Sequence, residues 1–324
     1  METLLSVNDL CVKYKTFEGI VHAVNGVSFE IPEKGTLGLV GESGAGKTTT
    51  ALSLMRLIPV PPGIVERGVI KFGGHDLQSI SEEEMKKIRG NQMSMIFQDP
   101  MTSLNPVLTV GLQISEAIVA HQNLGERDAL KKAQEMLEKV QIPAIRHKEY
   151  PHEFSGGMRQ RVGIAMALAC NPRLIIADEP TTALDVTIQA QVIELMRNLR
   201  DEFSTAMMLI THDLGVVGEV CDRVAVMYAG EIVEEGSIEQ VFDRPLHPYT
   251  VGLFKCIPDI EEDSSVIQPI KGLMPDPFDL PQGCCFHPRC PECMEICRTQ
   301  KPVRFEKEGH STICHLYAKG SDGR

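Results

Sequence analysis

Gly41-Glu42-Ser43-Gly44-Ala45-Gly46-Lys47-Thr48 decides how the rest of the chain is read. The spacing G-x-x-x-x-G-K-[ST] is that of a phosphate-binding loop. Its glycines let backbone N–H groups wrap phosphate oxygens, and the helix that follows adds its positive N-terminal end. In such a loop Lys47 reaches the β- and γ-phosphates, and the Thr48 hydroxyl ligates Mg²⁺. The flanks agree. Leu37 to Val40 is a short apolar strand leading in, and Thr48 to Leu57 reads as a helix stopped by Pro59, Pro61, Pro62 and Gly63. The motif alone establishes nucleotide binding and nothing further.

Upstream, Leu4 to Tyr14 mixes apolar and polar positions, and Val27 to Ile31 alternates with period two, so the opening reads as β structure. Downstream, Asp128 to Val140 sets Leu130, Ala133, Leu137 and Val140 on one face of an amphipathic helix. Roughly Gln98 to Ser155 is therefore read as a mainly helical insertion in an α/β core. The α/β pattern returns with strand Leu174 to Ala177, helix Thr187 to Arg200 and strand Ala206 to Thr211. After about Gly236, prolines such as Pro245, Pro248, Pro258, Pro269, Pro281 and Pro291 break any long element, and the boundary of a small appended module is placed there.

Composition narrows the function classes. Of 324 residues, 43% are hydrophobic and 23% charged, which suits a globular protein with a real core. The formal net charge of −12 argues against nonspecific nucleic-acid binding, which needs basic surface to displace counterions. The longest apolar run, Val162 to Cys170, is about half of what a membrane-spanning helix requires. Met1 to Leu10 carries Glu2 and Asp9 and lacks a basic segment followed by an apolar one, so no signal peptide and a cytoplasmic location are expected. Of ten cysteines, Cys11, Cys170, Cys221 and Cys256 are scattered, while six fall between Cys284 and Cys314. In a reducing compartment such a cluster more often holds a metal than disulfides.

Leu174-Ile175-Ile176-Ala177-Asp178-Glu179 is the acidic strand that matches a phosphate loop. Four apolar residues suit a strand covered on both faces. Asp178 at its end can hold Mg²⁺ through water, and Glu179 can polarise an attacking water. Phe154-Ser155-Gly156-Gly157-Met158 alone would be an ordinary turn, but it stands before a helix read at Arg159 to Ala169 and just ahead of the acidic strand. Glycines at a helix N-terminus make a second anion site.

With these motifs in this order, the chain resembles an ATP-binding-cassette (ABC) nucleotide-binding domain over residues 4 to about 255. The resemblance implies a P-loop NTPase, RecA-like α/β core with an antiparallel β subdomain and a helical subdomain at about 98–155. The domain spans 1–235, and a small Cys-rich C-terminal extension spans 236–324. It implies that Ser155, Gly156 and Gly157 form the signature binding the γ-phosphate held by an opposite subunit. Gln98, in Phe97-Gln98-Asp99-Pro100, senses Mg²⁺ and touches membrane subunits, and Ala183-Leu184-Asp185 communicates across the dimer. His212, in Thr211-His212-Asp213, is the switch histidine at the γ-phosphate. ATP contacts are implied for Tyr14, Gly41, Ser43, Gly44, Gly46, Lys47, Thr48, Thr49 and Asp185, with Tyr14 stacking on adenine and Phe17 its competitor. Mg²⁺ falls to Thr48, Gln98 and Asp178; catalysis falls to Glu179, His212, Gln98 and Lys47.

Two further strings resemble the D-type ATP-binding subunits of dipeptide and oligopeptide importers. One is Ser155-Gly156-Gly157-Met158-Arg159-Gln160-Arg161; the other is His247-Pro248-Tyr249-Thr250 followed by Ile257-Pro258. Phe154 departs from the usual Leu. Gly283-Cys284-Cys285-Phe286-His287-Pro288-Arg289-Cys290-Pro291 resembles the C-terminal motif of those subunits, which implies a [4Fe–4S] cluster on Cys285, Cys290, Cys297 and Cys314, with Cys284 and Cys293 extra. Four thiolates equally suit tetrahedral Zn²⁺, and Cys290-Pro-Glu-Cys293 has zinc-knuckle spacing. The resemblance also implies two integral-membrane permease subunits, a second ATP-binding subunit (F-type, or this chain again), and indirectly an extracellular solute-binding protein. The location would be peripheral, on the cytoplasmic face of the membrane. A nickel or other small-solute importer is the alternative. A DNA-repair or chromosome-organising ATPase is remote, because the roughly hundred residues between phosphate loop and signature lack sustained heptads.

Overall fold

The computed structural model describes residues 2–99, 103–182, 184–256 and 269–317. Pro100, Ala183, Ile257 and Pro258, named above, lie outside them. In chain order the strands are β1 (Thr3–Lys15), β2 (Ile20–Pro32), β3 (Thr36–Val40), β4 (Gly63–Phe72), β5 (His75–Asp76), β6 (Met93–Ile96), β7 (Leu174–Asp178), β8 (Ala206–Thr211), β9 (Arg223–Tyr228), β10 (Glu231–Ser237), β11 (Arg304–Lys307) and β12 (His310–Ile313). The helices are α1 (Lys47–Leu54), α2 (Glu82–Ile88), α3 (Val110–His121), α4 (Glu126–Lys139), α5 (Gly156–Leu168), α6 (Val186–Phe203), α7 (Leu214–Val220), α8 (Ile238–Asp243), α9 (Pro248–Phe254) and α10 (Glu295–Thr299). They fall into two compact units, Met1–Leu5, Ile31–Thr36 and Phe72–Thr211 in one, and Ser6–Glu30, Leu37–Lys71 and His212–Arg324 in the other.

In the first unit β6, β7 and β8 run parallel, Met93 opposite Leu174 and Leu174 opposite Ala206. Every residue of β7 and β8 is buried. That explains their uninterrupted apolar sequences, since a parallel strand covered on both faces has no solvent side to mark with polar residues. Helices α3 to α6 belong to the same unit. In α4 the buried face is Ala129, Ala133, Met136 and Leu137, with Val140 just beyond it. Leu130, expected on that face, is only half-buried. Ala129 and Met136 are buried in its place, beside the expected Ala133, Leu137 and Val140. Helix α2 starts on a capping box: Ser81 accepts from the Glu84 N–H while the Glu84 carboxylate takes the Ser81 N–H.

In the second unit β3 runs parallel to β9, Leu37 opposite Arg223. Beyond β9 the strands are antiparallel: β10 pairs with β9 through a register shift between Ile232 and Glu234, and β12 pairs with β10. The β11–β12 hairpin completes this run. The boundary expected near 236 therefore falls inside β10, and the segment beyond it contributes strands and the short helices α8, α9 and α10 despite its prolines. Two consecutive acids on β10, Glu234 and Glu235, are buried. Each is compensated. Glu234 accepts from His310 at 2.8 Å and from the N–H groups of Leu246 and His247 at 2.7 and 2.8 Å. Glu235 meets Arg223 and Arg304 at 3.1 and 3.0 Å. Among the described residues no helix is long and apolar enough to cross a membrane.

Candidate nucleotide and hydrolysis site

The phosphate loop leaves the buried end of β3 and enters α1. Gly41 has φ +152°, and a Cβ there would stand 2.2 Å from the carbonyl oxygen of Met227, so only glycine fits both the dihedral and the space. The loop's far side is held by the Gly230 N–H, which donates to the Ala45 carbonyl at 2.9 Å. Lys47 is buried, and its ammonium donates to the carbonyls of Gly41 and Glu42 at 2.8 and 3.1 Å, inside the loop it was expected to serve. Ser43, Gly44 and Thr48 face solvent along the rim. Tyr14 is half-buried, with its hydroxyl 3.4 Å from Thr49 Oγ1 beside the start of α1, whereas Phe17 is fully exposed. The structure thus groups Tyr14, Thr49, Lys47 and the loop glycines in one unit.

The acidic strand end lies in the other. Asp178 is 2% exposed at the end of β7. Glu179 takes a left-handed backbone, φ +45°, unusual for a non-glycine residue and of the strained kind that gathers at functional sites. Its N–H still reaches across to the Ile210 carbonyl at 2.8 Å. One carboxylate oxygen of Glu179 accepts two hydrogen bonds, from Gln98 Nε2 at 2.9 Å and from Thr182 Oγ1 at 2.8 Å. Gln98 and Glu179 were both expected from the sequence, and here they meet. Thr182 was not anticipated; the signal available was its position three residues after Glu179, in a turn closed by its own N–H to the Glu179 carbonyl at 3.2 Å.

The signature begins a helix one turn earlier than the sequence suggested. Ser155 is the N-cap of α5, its hydroxyl accepting from the Met158 N–H. A Cβ on Gly157 would come within 2.5 Å of Ile188 Cγ2, so the glycine lets α5 pack directly on the start of α6. Asp185 is the N-cap of α6, accepting from the Ile188 N–H at 2.9 Å. Gly157 and Asp185 are thereby joined through Ile188. His212 is exposed just past β8, and the next residue, Asp213, caps α7 by accepting from the N–H groups of Gly215 and Val216.

Thr48 in one unit carries a hydroxyl, and Gln98 and Asp178 in the other carry an amide oxygen and a carboxylate. Gln98 uses its N–H on Glu179, which leaves its oxygen for a cation. Hard oxygen donors of this kind fit Mg²⁺. The tail cysteines fit a metal less well. Cys285, Cys297 and Cys314 are buried, and none of the ten cysteines is in a disulfide. Burial pushes the thiols of Cys285 and Cys290 up to about 12 and that of Cys284 to about 11, so without a metal they stay protonated at neutral pH. Among the described residues no group of three or more His, Cys, Asp or Glu side chains is disposed to hold a metal ion. The described side chains thus do not assemble the iron–sulfur or zinc ligand set expected on Cys285, Cys290, Cys297 and Cys314, or on Cys293.

Comparison with known proteins places this geometry. Residues 24–182 match the family model described as ABC transporter, and residues 233–297 match that of the oligopeptide/dipeptide transporter C-terminal region. The chain is 51% identical to the oligopeptide transport ATP-binding protein AppD of Bacillus subtilis, over 98% of both chains. It is 48% identical to the oligopeptide transport ATP-binding protein OppD of Escherichia coli, over 97% of this chain and 93% of that one. Among solved structures it resembles the dimeric, post-hydrolysis ATP-binding cassette MJ0796 bound to ADP and Pi, with TM-score 0.65 and 27% identity, over 72% of this chain and 98% of that one. A phosphate loop closed by Gly41, a strained Glu179 held by Gln98, and near full-length identity of about one half to transport ATP-binding proteins leave one assignment: the chain belongs to the ABC transporter ATPase family and carries the C-terminal region of its oligopeptide/dipeptide branch.

Proposed function

We propose that this chain is the ATP-hydrolysing subunit of a peptide importer, energising uptake of dipeptides or oligopeptides through separate membrane subunits. The observation that carries the hydrolytic part is the Glu179 carboxylate, held by Gln98 and Thr182 at the end of a buried strand. The peptide part is supported by the match over residues 233–297 and by the oligopeptide-transport names of the relatives. In this reading ATP is served by Tyr14, by the loop residues Gly41, Ser43, Gly44, Gly46, Lys47, Thr48 and Thr49, and by Ser155, Gly156, Gly157 and Asp185. Mg²⁺, when bound, neutralises phosphate charge through Thr48, Gln98 and Asp178. Glu179 orients the attacking water, Lys47 and His212 stabilise the γ-phosphate, and Gln98 fixes the angle of Glu179. The work is positioning and charge stabilisation rather than covalent chemistry. The partners are two permease subunits and a second ATP-binding subunit, at the cytoplasmic face of the membrane.

The test is ATP hydrolysis by purified full-length protein. Glu179→Gln is expected to bind ATP while hydrolysis falls by about 10² to 10⁴, and Lys47→Ala is expected to lose ATP binding itself. Wild-type turnover by the Glu179 variant would remove that residue from its role. The finer reading of the tail, a [4Fe–4S] cluster on Cys285, Cys290, Cys297 and Cys314, is supported by resemblance and by the number of thiols in one short segment, not by their arrangement. Iron, sulfide and zinc analysis of protein purified without oxygen decides it: equal iron and sulfide support the cluster, and metal-free protein that melts like the native form ends it.

A further inference from the structure

The phosphate loop is gripped from behind by residues far beyond it in sequence. Glu42, second in the loop, donates its backbone N–H to the Tyr249 hydroxyl at 2.9 Å. Its carboxylate receives both prongs of Arg289, Nη1 to Oε2 at 2.7 Å and Nη2 to Oε1 at 3.0 Å. The Arg289 side chain is only 6% exposed. Its remaining donors are used as well: Nε reaches the Lys271 carbonyl at 3.1 Å and Nη1 the Tyr228 hydroxyl at 3.4 Å. Tyr228, Tyr249 and Phe286 pack edge to face or tilted around this point, with centroids 4.6 to 5.4 Å apart. The residue before Tyr228 is Met227, whose carbonyl abuts Gly41.

Two physical consequences follow for a loop that binds phosphates through backbone N–H groups. Donors aimed in advance bind better than donors that must be ordered on arrival. A carboxylate on the loop repels the phosphates unless its charge is cancelled, and a bidentate guanidinium cancels it while also fixing its direction. We propose that Arg289 is a positioning residue for ATP binding that acts through Glu42, holding the first turn of the phosphate loop and masking the one acidic side chain on it, while the Tyr249 hydroxyl accepts the Glu42 N–H and anchors that peptide. This rests on the ATP-binding reading above and extends it to the C-terminal segment, which that reading uses only as a family mark.

The experiment is a double-mutant cycle on full-length protein, reading ATP dissociation constant, KM for ATP, kcat at saturating ATP, and nucleotide-free melting temperature. Arg289→Met is expected to weaken ATP binding by about tenfold or more, with kcat at saturation close to wild type. In a Glu42→Gln background, where no carboxylate is left to mask or steer, the same change is expected to weaken binding by less than about threefold. Arg289→Lys keeps a charge but loses the fork, and it is expected to show a smaller loss with the same dependence on Glu42; it carries the test if the methionine variant does not fold. An equal loss in both backgrounds, or a lowered melting temperature with unchanged ATP affinity, overturns the proposal and leaves Arg289 a structural residue. Wild type and Lys47→Ala are run alongside. Failure of wild type to bind ATP would instead sink the functional reading itself.

Discussion

A single amide connects two of the residues assigned to hydrolysis. Gln98 Nε2 donates to the same Glu179 oxygen that accepts from Thr182, so two side chains from different segments fix the direction of this carboxylate. A hydrogen bond to a charged group contributes about 1.5–3 kcal/mol. Gln98→Ala is therefore expected to slow hydrolysis by about ten- to a hundredfold, acting more on turnover than on ATP affinity; stopped-flow single-turnover assays beside equilibrium ATP binding check it. An unchanged single-turnover rate would mean that Glu179 needs no such support. Both residues were legible from their motifs. Their contact was not, because Gln98 and Glu179 lie 81 positions apart and only the parallel pairing of β6 with β7 brings their strand ends side by side. The same holds for Glu42 and Arg289, separated by 247 positions.

Elements show where sequence periodicity succeeds and where it stops. Strands β3, β7 and β8 announce themselves because burial on both faces writes unbroken apolar runs. Strand β10 does the opposite: Glu231-Ile232-Val233-Glu234-Glu235-Gly236-Ser237 reads as half polar, yet Glu234 and Glu235 are buried because partners from distant segments satisfy them. No local pattern encodes that, nor the β11–β12 hairpin that supplies His310 and Arg304. The signature glycines offer an element-scale test. Gly157→Ala would press a methyl to 2.5 Å from Ile188 and is expected to cost about 1–3 kcal/mol. Gly156→Ala meets nothing nearer than Leu184 at 3.7 Å and is expected to be neutral or stabilising by up to about 1 kcal/mol. Thermal melting of the two variants separates a packing requirement from a backbone one, and equal melting temperatures would refute the packing account.

At the scale of the whole molecule, stability should bend with pH through one buried imidazole. His247 accepts the Tyr249 N–H on Nδ1 at 3.1 Å and lies against Phe286, and burial pushes it from 6.5 down to about 3. A group depressed on folding binds its proton more readily in the unfolded chain. Its contribution is complete above about pH 6.5 and declines as pH falls from there toward 3, by about 2 kcal/mol between pH 7 and 5. Urea midpoints across that range should fall more steeply for wild type than for His247→Asn, which keeps an acceptor for the Tyr249 N–H and cannot titrate. Parallel slopes would refute the assignment.

The pairing of β10 with β12 changes what a minimal version of this protein can be. A chain trimmed at residue 235, where composition alone would end the cassette, stops partway along β10 and takes the hairpin with it. The remnant keeps Glu234 and Glu235 but loses His310 and Arg304, so two acids sheltered in the native fold are stranded at a ragged margin. It also presents unsatisfied backbone donors and acceptors along that rim, the template on which stray strands from other molecules dock. Aggregates rather than a tidy autonomous engine are what such surgery should yield.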